Sequence, residues 1–284
     1  MTEHFRDEKE RYISGKYSGN TQLKKGKPGK RKPRQILLLV EILALILAGY
    51  FFGVWDKLSD RIDTQECVEF SSDSPSQSIV DAAPGLIPEY EGIDRIVLNE
   101  NMPNFTAYDL SHIKEEDYTD LDFLGRCGTA TAMIDHSMMP TEKRGSIREV
   151  KPSGWNQEKY PGIIDSQPPY LYNRCHLIAY ALTGQNANEK NLITGTRYLN
   201  VELMLPYEIQ VAEFLDTSDY HVLYRVSPYF KGIEMLSRGV EMEAYSVEDK
   251  GEGVCFHVFL YNVQPGVEIN YRTGRSTRKK EENG

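Results

Sequence analysis

The chain reads as an α+β protein built on an antiparallel sheet and preceded by one N-terminal transmembrane helix. Three observations carry this reading. Apolar and β-branched residues gather in runs at 220–226, 240–247 and 255–263, the pattern of strands in an antiparallel sheet. Helical periodicity covers 200–215, and a further helix is expected within 107–135. Residues 36–55 form an unbroken stretch of 20 residues, apolar except for Glu41. At about 1.5 Å per residue that length crosses a hydrocarbon core of about 30 Å.

Taken in chain order, residues 1–35 are a polar tail that ends in the basic run Lys24 to Arg34. Basic flanks stay in the cytoplasm, so the C-terminal bulk is expected outside the cell. Glu41 costs roughly 2.5–3.5 kcal/mol at a bilayer centre and less near an end, which the other apolar residues outweigh. The span is longer than the about 7–15 residues of a cleaved signal peptide, and it ends in the interfacial aromatics Tyr50, Phe51, Phe52 and Trp55. It therefore reads as an uncleaved signal anchor. Residues 56–85 have a linker composition around Ser71 to Ser78. Residues 86–274 are enough for one well-buried domain, and 275–284 form a loose charged tail.

Inside the domain, residues 168–180 read as a β-rich arm that runs into His176. A loop rich in Gly, Asn and Thr follows from Thr183 to Thr196. The helix over 200–215 contains Pro206, which is expected to kink or restart it.

Charge and cysteine use fit an exported domain. The whole chain carries −9, but residues 59–284 hold 21 Lys and Arg against 36 Asp and Glu, a net of −15. A broad basic face for storage-type nucleic-acid binding is excluded. Capture of a polyanion would have to rest on a local cluster at Arg144, Arg148, Lys151, Arg174 and Arg197. Cys67, Cys127, Cys175 and Cys255 all follow the span, an even number with three possible pairings in an oxidising compartment. No Cys-x-x-Cys spacing points to a structural zinc.

The chemistry concentrates at Tyr172-Asn173-Arg174-Cys175-His176-Leu177-Ile178, followed by Asn191, Asn200 and Glu208. Phosphodiester hydrolysis needs a neutral imidazole to take a proton from water and a hard oxygen ligand to hold a divalent ion. His176 supplies the first and Asn200 the second. Each also has a plain structural reading. Asn191 and Asn200 suit a turn and a helix N-cap, Glu208 a solvated helix face, and Arg144 a surface ion pair. His112, His136, His221 and His257 have no metal-ligand spacing and read as structural. Cys175 beside His176 suggests a cysteine hydrolase, but neighbouring strand residues point to opposite faces, so Cys175 is expected to pack behind the site or join a disulfide.

Ordered blocks resemble the DNA/RNA non-specific endonucleases with a ββα-metal finger, especially those of Gram-positive bacteria. The blocks are Ile87 to Tyr90, Leu121 to Gly128, Met139 to Gly145, Lys151 to Trp155, Asn173 to Ile178, Asn191 to Arg197 and Tyr261 to Gly266. The family's Asp-Arg-Gly-His signature reads here Asn173-Arg174-Cys175-His176, which keeps the histidine. The resemblance implies His176 as general base, Asn200 as direct ligand of Mg²⁺ with Mn²⁺ as a substitute, and Asn191 in support. Glu208 would order waters on the ion, and Arg144, or Arg174 as a second candidate, would stabilise phosphate charge. From the local charge cluster, and not from the resemblance, Arg148, Lys151 and Arg197 are expected to hold nucleic acid.

The resemblance further implies hydrolysis of DNA and RNA with low sequence selectivity and 5′-phosphate products, activity falling with salt and rising as pH passes the histidine range. Membrane-held relatives act in DNA uptake and secreted ones in nucleotide scavenging, with room for an uptake partner or an inhibitor. The competing reading is a catalytically silent nucleic-acid-binding module on the same scaffold. Intact His176 and Asn200 argue against it, since binding needs no base beside a metal ligand.

Overall fold

The computed structural model describes residues 87–280 except residue 114. The expected basic tail (1–35), transmembrane helix (36–55) and linker (56–85) lie outside the described residues. Among the described residues, no helix is long and apolar enough to cross a membrane.

An antiparallel six-stranded sheet organises the domain. Its strands are β1 (Arg95–Val97), β2 (Glu116–Tyr118), β3 (Ala130–Ile134), β6 (Val222–Tyr229), β7 (Gly239–Ser246) and β8 (Cys255–Tyr261), in the order β1-β8-β7-β6-β3-β2. Side chains alternate between its faces. Val222, Tyr224 and Val226, with Val240, Met242 and Ala244 and with Phe256, Val258 and Leu260, form the main core. The other face carries Leu223, Tyr245 and Phe259 beside buried Arg225, Glu241, Glu243 and His257, and segment 99–113 covers part of it.

A second unit sits against the main core. β4 (Tyr172–His176) pairs antiparallel with β5 (Leu192–Thr196), with the short α2 (Tyr180–Thr183) between them. A π-helical turn (Leu199–Met204) and then α3 (Leu205–Thr217) follow, and α3 buries Val211, Ala212 and Leu215 in the core. This is a strand–strand–helix unit.

The three long strands and the arm into His176 stand where the residue pattern places them, to within a few residues. Three expectations need correction. The helix expected within 107–135 is only α1 (Ala107–His112), which opens with a reciprocal Thr106–Asp109 capping box. The chain then turns through Asp122 to Gly125, whose φ of +73° suits a residue without Cβ, and enters β3. All five residues of β3 are buried, so their apolar run has no helical side to show. The expected loop 183–196 ends in β5, whose Leu-Ile-Thr run was masked by the surrounding Asn and Gly. The tail expected to be loose from 275 contains β10 (Ser276–Arg278), paired with β9 (Val267–Ile269). Pro206 does restart the helix, in the first turn of α3, where a missing N–H costs nothing.

Of the cysteines, Cys255 is disulfide-bonded, whereas Cys127 and Cys175 remain buried thiols. The Cys127 Sγ rests 3.2 Å from the carbonyl oxygens of Glu189 and Leu192, and burial pushes its pKa up to about 12. Complete pairing of the four is thereby excluded.

Candidate active site

His176 is the last residue of β4, and its alternation with Cys175 is as expected. The thiol of Cys175 points into the core, 3.3 Å from the sulfur of Met204, while His176 lines a cleft of about 810 Å³. A Cys175–His176 dyad is therefore not formed. Room for the thiol comes from Gly195 on β5, where a Cβ would stand 2.7 Å from the Cys175 Cβ.

The hydrogen bonds of His176 assign its tautomer. Nε2 is 2.8 Å from the backbone carbonyl oxygen of Asn186, which can only accept, so Nε2 carries the proton. Nδ1 is 3.2 Å from an Arg144 guanidinium nitrogen, which can only donate, so Nδ1 presents a lone pair. The ring is neutral, with a basic nitrogen beside a cation that suits phosphate. Gly145 lets the Arg144 loop close on the Asn186 turn, since a Cβ there would lie 2.8 Å from the Asn186 amide nitrogen.

Asn191 holds the chain as it leaves His176. Its Oδ1 accepts from the Ile178 N–H at 2.8 Å and its Nδ2 donates to the Ile178 carbonyl at 2.9 Å, entirely buried. It is a clamp on the histidine turn, more than a turn former. Asn200 is not an N-cap: it lies inside the π-helical turn, whose N-cap is Tyr198. Asn200 and Glu208 both line the His176 cleft. In a continuous α-helix, residues eight apart differ by about 80° in direction. Here Asn200 and Leu205 are separated by one π repeat and Leu205 and Glu208 by an α spacing, and all three face the cleft. Glu208 is 8% exposed and so is not a solvated surface residue.

Arg174 lines the same cleft and is held there by the backbone. Nε donates to the Val150 carbonyl at 2.5 Å, a terminal nitrogen donates to the Arg148 carbonyl at 2.8 Å, and the guanidinium stacks 4.2 Å over Trp155. Burial, with the like charge of Arg148, lowers its pKa. These bonds make it the brace of the 148–150 segment. Arg148 and Arg197 line the cleft, whereas Lys151 is exposed and not part of the lining.

Asn186 was missed in the sequence because its backbone carbonyl does the work, and a carbonyl leaves no side-chain signature. The donor set suits a hard cation: the Asn200 amide oxygen and the Glu208 carboxylate share the cleft with His176, without a thiolate.

Among the described residues, one set of His and carboxylate side chains lies within 4.8 Å of one another, Glu241, Glu243 and His257. Spacing along the chain hides it because it spans β7 and β8, where Glu243 and His257 are directly opposite. It stands on the covered sheet face, not in the cleft. Arg225 bonds Glu243 at 2.7 Å, and His257 donates to Glu241 at 2.6 Å and to the Met102 carbonyl at 2.9 Å. Those cations occupy the carboxylates, so His257 remains structural, as its sequence context implies. His112 stacks on Tyr108, His136 bonds the Leu215 carbonyl and His221 bonds Glu248, which likewise keeps them structural.

The site thus sets a histidine at the end of a strand pair in one cleft with an amide and a carboxylate from the helix that follows. Residues 106–248, half of the chain, match the family model for DNA/RNA non-specific endonucleases, and the chain belongs to that family. A deoxyribonuclease of Streptococcus dysgalactiae subsp. equisimilis is 33% identical over 111 residues, 37% of this chain and 32% of that protein. The chain thus spans about a third of that relative's length. NucA from Streptococcus agalactiae has been solved with no metal bound and with magnesium bound. Both structures are similar at 27% identity, over 64% of this chain and 86% of theirs, with TM-scores of 0.54 and 0.55. The Sda1 nuclease with bound zinc matches at 27% identity and a TM-score of 0.50, over 59% of this chain and 82% of that one.

Proposed function

We propose that this chain is a metal-dependent, sequence-non-specific endonuclease that hydrolyses DNA and RNA. The carrying observation is the His176 ring, with Nε2–H bound to the Asn186 carbonyl and Nδ1 turned toward Arg144 in a cleft shared with Asn200 and Glu208.

The chain's own groups take these parts. His176 Nδ1 removes a proton from the attacking water, and the Asn186 carbonyl steadies the imidazolium that results. An incoming phosphate draws the Arg144 fork onto its oxygens, which uncovers Nδ1 and neutralises the charge gathering at phosphorus. Asn191 keeps the ring in place and Arg174 braces the loop that bears Arg148. Asn200 would hold Mg²⁺ directly, with Glu208 reaching it through water. When bound, such an ion stabilises the developing charge on the phosphate and on the leaving 3′ oxygen. Breaking that P–O3′ bond leaves a 5′-phosphate.

Residues 36–55 would anchor the chain in the cell membrane with residues 86–274 outside, which suits DNA uptake or nucleotide scavenging. The buried thiols narrow the role of disulfides but leave that topology consistent. The reading is tested by digesting plasmid and RNA with the full chain in Mg²⁺ or EDTA and labelling the product ends. Metal-dependent products with 5′-phosphates are expected. Intact substrate with every divalent ion, from a folded chain, would leave only nucleic-acid binding.

A further inference from the structure

The cleft holds more than cations. Its 147–172 wall carries the aromatic rings of Trp155 and Tyr170. Tyr170 is 40% exposed, and among the exposed large hydrophobic side chains described it alone lines this cleft.

Both rings are rigidly mounted. Neighbouring Leu171 and Tyr172 are buried with Tyr160, Ile164, Leu236 and Val267 in a separate small core. The Tyr160 N–H bonds the Pro169 carbonyl, and the Leu171 N–H bonds the Glu158 carbonyl, lacing the two passes of the wall together. The Gln157 amide bonds both the N–H and the C=O of Tyr172, at 2.9 and 2.6 Å. Each ring is also paired with a cation: Trp155 with Arg174 at 4.2 Å, and Tyr170 with the Lys159 amine at 5.1 Å. Fixed aromatic faces interleaved with basic groups are the physical features of single-strand recognition: cations track the backbone and rings receive the bases.

We propose that Tyr170, on the wall braced by the Trp155–Arg174 stack, forms a nucleobase-stacking subsite, so that the cleft takes single-stranded nucleic acid in preference to closed duplex. The inference rests on the nuclease reading above and deepens it. In a duplex the base faces are already stacked on one another, so the Tyr170 ring gains nothing until a base turns out. An unpaired strand offers a base face to the Tyr170 ring at no unpairing cost.

The test uses the full chain carrying His176→Ala, so that substrate survives, and two probes. One is a single-stranded oligonucleotide containing 2-aminopurine, the other the same bases closed in a hairpin duplex. Quenching of the single-stranded probe on binding is expected. Adding Tyr170→Ala should weaken its binding about tenfold and remove the quench. Tyr170→Phe should keep both, and duplex affinity should stay unchanged. Tyr170→Leu, which fills the volume without a π face, decides the matter if the alanine variant misfolds. Equal loss on both probes, or binding without quench, would overturn the subsite. Cleavage of the unlabelled probes by the wild-type chain separates the two readings. Cutting without quenching keeps the nuclease and removes the subsite; quenching without cutting does the reverse.

Discussion

Nε2 of His176 lies 2.8 Å from the backbone carbonyl oxygen of Asn186, and that hydrogen bond decides which ring nitrogen can act as a base. With the proton committed to Nε2, Nδ1 is the nitrogen left to take one from water. Nitrogen-15 NMR of labelled histidine should find the Nε2–H tautomer in the resting protein. His176→Ala should lower turnover by about 10²–10⁴-fold while circular dichroism stays unchanged. An Nδ1–H tautomer would reverse the assignment.

Arg144 should matter through its shape as well as its charge. Its guanidinium reaches Nδ1 at 3.2 Å and can present two donors to one phosphate, which a lysine cannot. Arg144→Ala should cut the rate constant for cleavage by roughly 10²–10³-fold, as for loss of a donor to a developing anion. Arg144→Lys should recover little of it. Full recovery in single-turnover assays would reduce Arg144 to a point charge.

The two asparagines should separate cleanly. Asn200→Ala should raise the Mg²⁺ concentration needed for half-maximal cleavage and leave the melting temperature near wild type. Asn191→Ala strands the buried Ile178 N–H and C=O, each worth about 1–3 kcal/mol, so it should lower the melting temperature. Magnesium titrations beside thermal melts read both effects.

The buried network on the far face of the sheet predicts a pH dependence of stability. Burial pushes the His257 pKa down, but the bond to Glu241 and the nearby Glu243 more than offset it, so the net shift is upward. A raised folded-state pKa means that the protonated ring stabilises the fold fully below the ordinary histidine value. That contribution is lost as pH rises through the raised one. Melting temperature should therefore fall from neutral into alkaline pH, and His257→Gln should flatten that slope. Glu243→Gln leaves Arg225 buried without its carboxylate and should cost about 3–5 kcal/mol in denaturant unfolding.

Gly195 and Cys175 should behave as a packing pair across β4 and β5. Gly195→Ala brings a Cβ within 2.7 Å of the Cys175 Cβ and should destabilise by about 1–3 kcal/mol. Adding Cys175→Gly should recover part of that loss. A double variant no better than Gly195→Ala alone would place the strain elsewhere.

What the residues disclosed in advance depended on period and on side-chain identity. β6, β7 and β8 are long and β-rich and so were readable, and His176, Asn200 and Glu208, which meet at one cleft, could be named from their side chains. β3 and β5 were not readable. The first is buried on every residue and loses its period, and the second is five residues long with a Gly inside. The Asn186 carbonyl, the π-helical turn that brings Asn200 and Glu208 to one cleft, and the bracing of Arg174 by two backbone carbonyls are products of tertiary geometry. The same holds for Glu241, Glu243 and His257, which meet only because two strands align.

The most direct test of the central claim is nicking of supercoiled plasmid by the full chain and its His176→Ala variant, in Mg²⁺ and in EDTA. Nicking by the wild type in Mg²⁺ alone, and its loss in the folded variant, are expected. Equal nicking by the variant, or nicking that survives EDTA, would contradict a metal-dependent nuclease with His176 as its base.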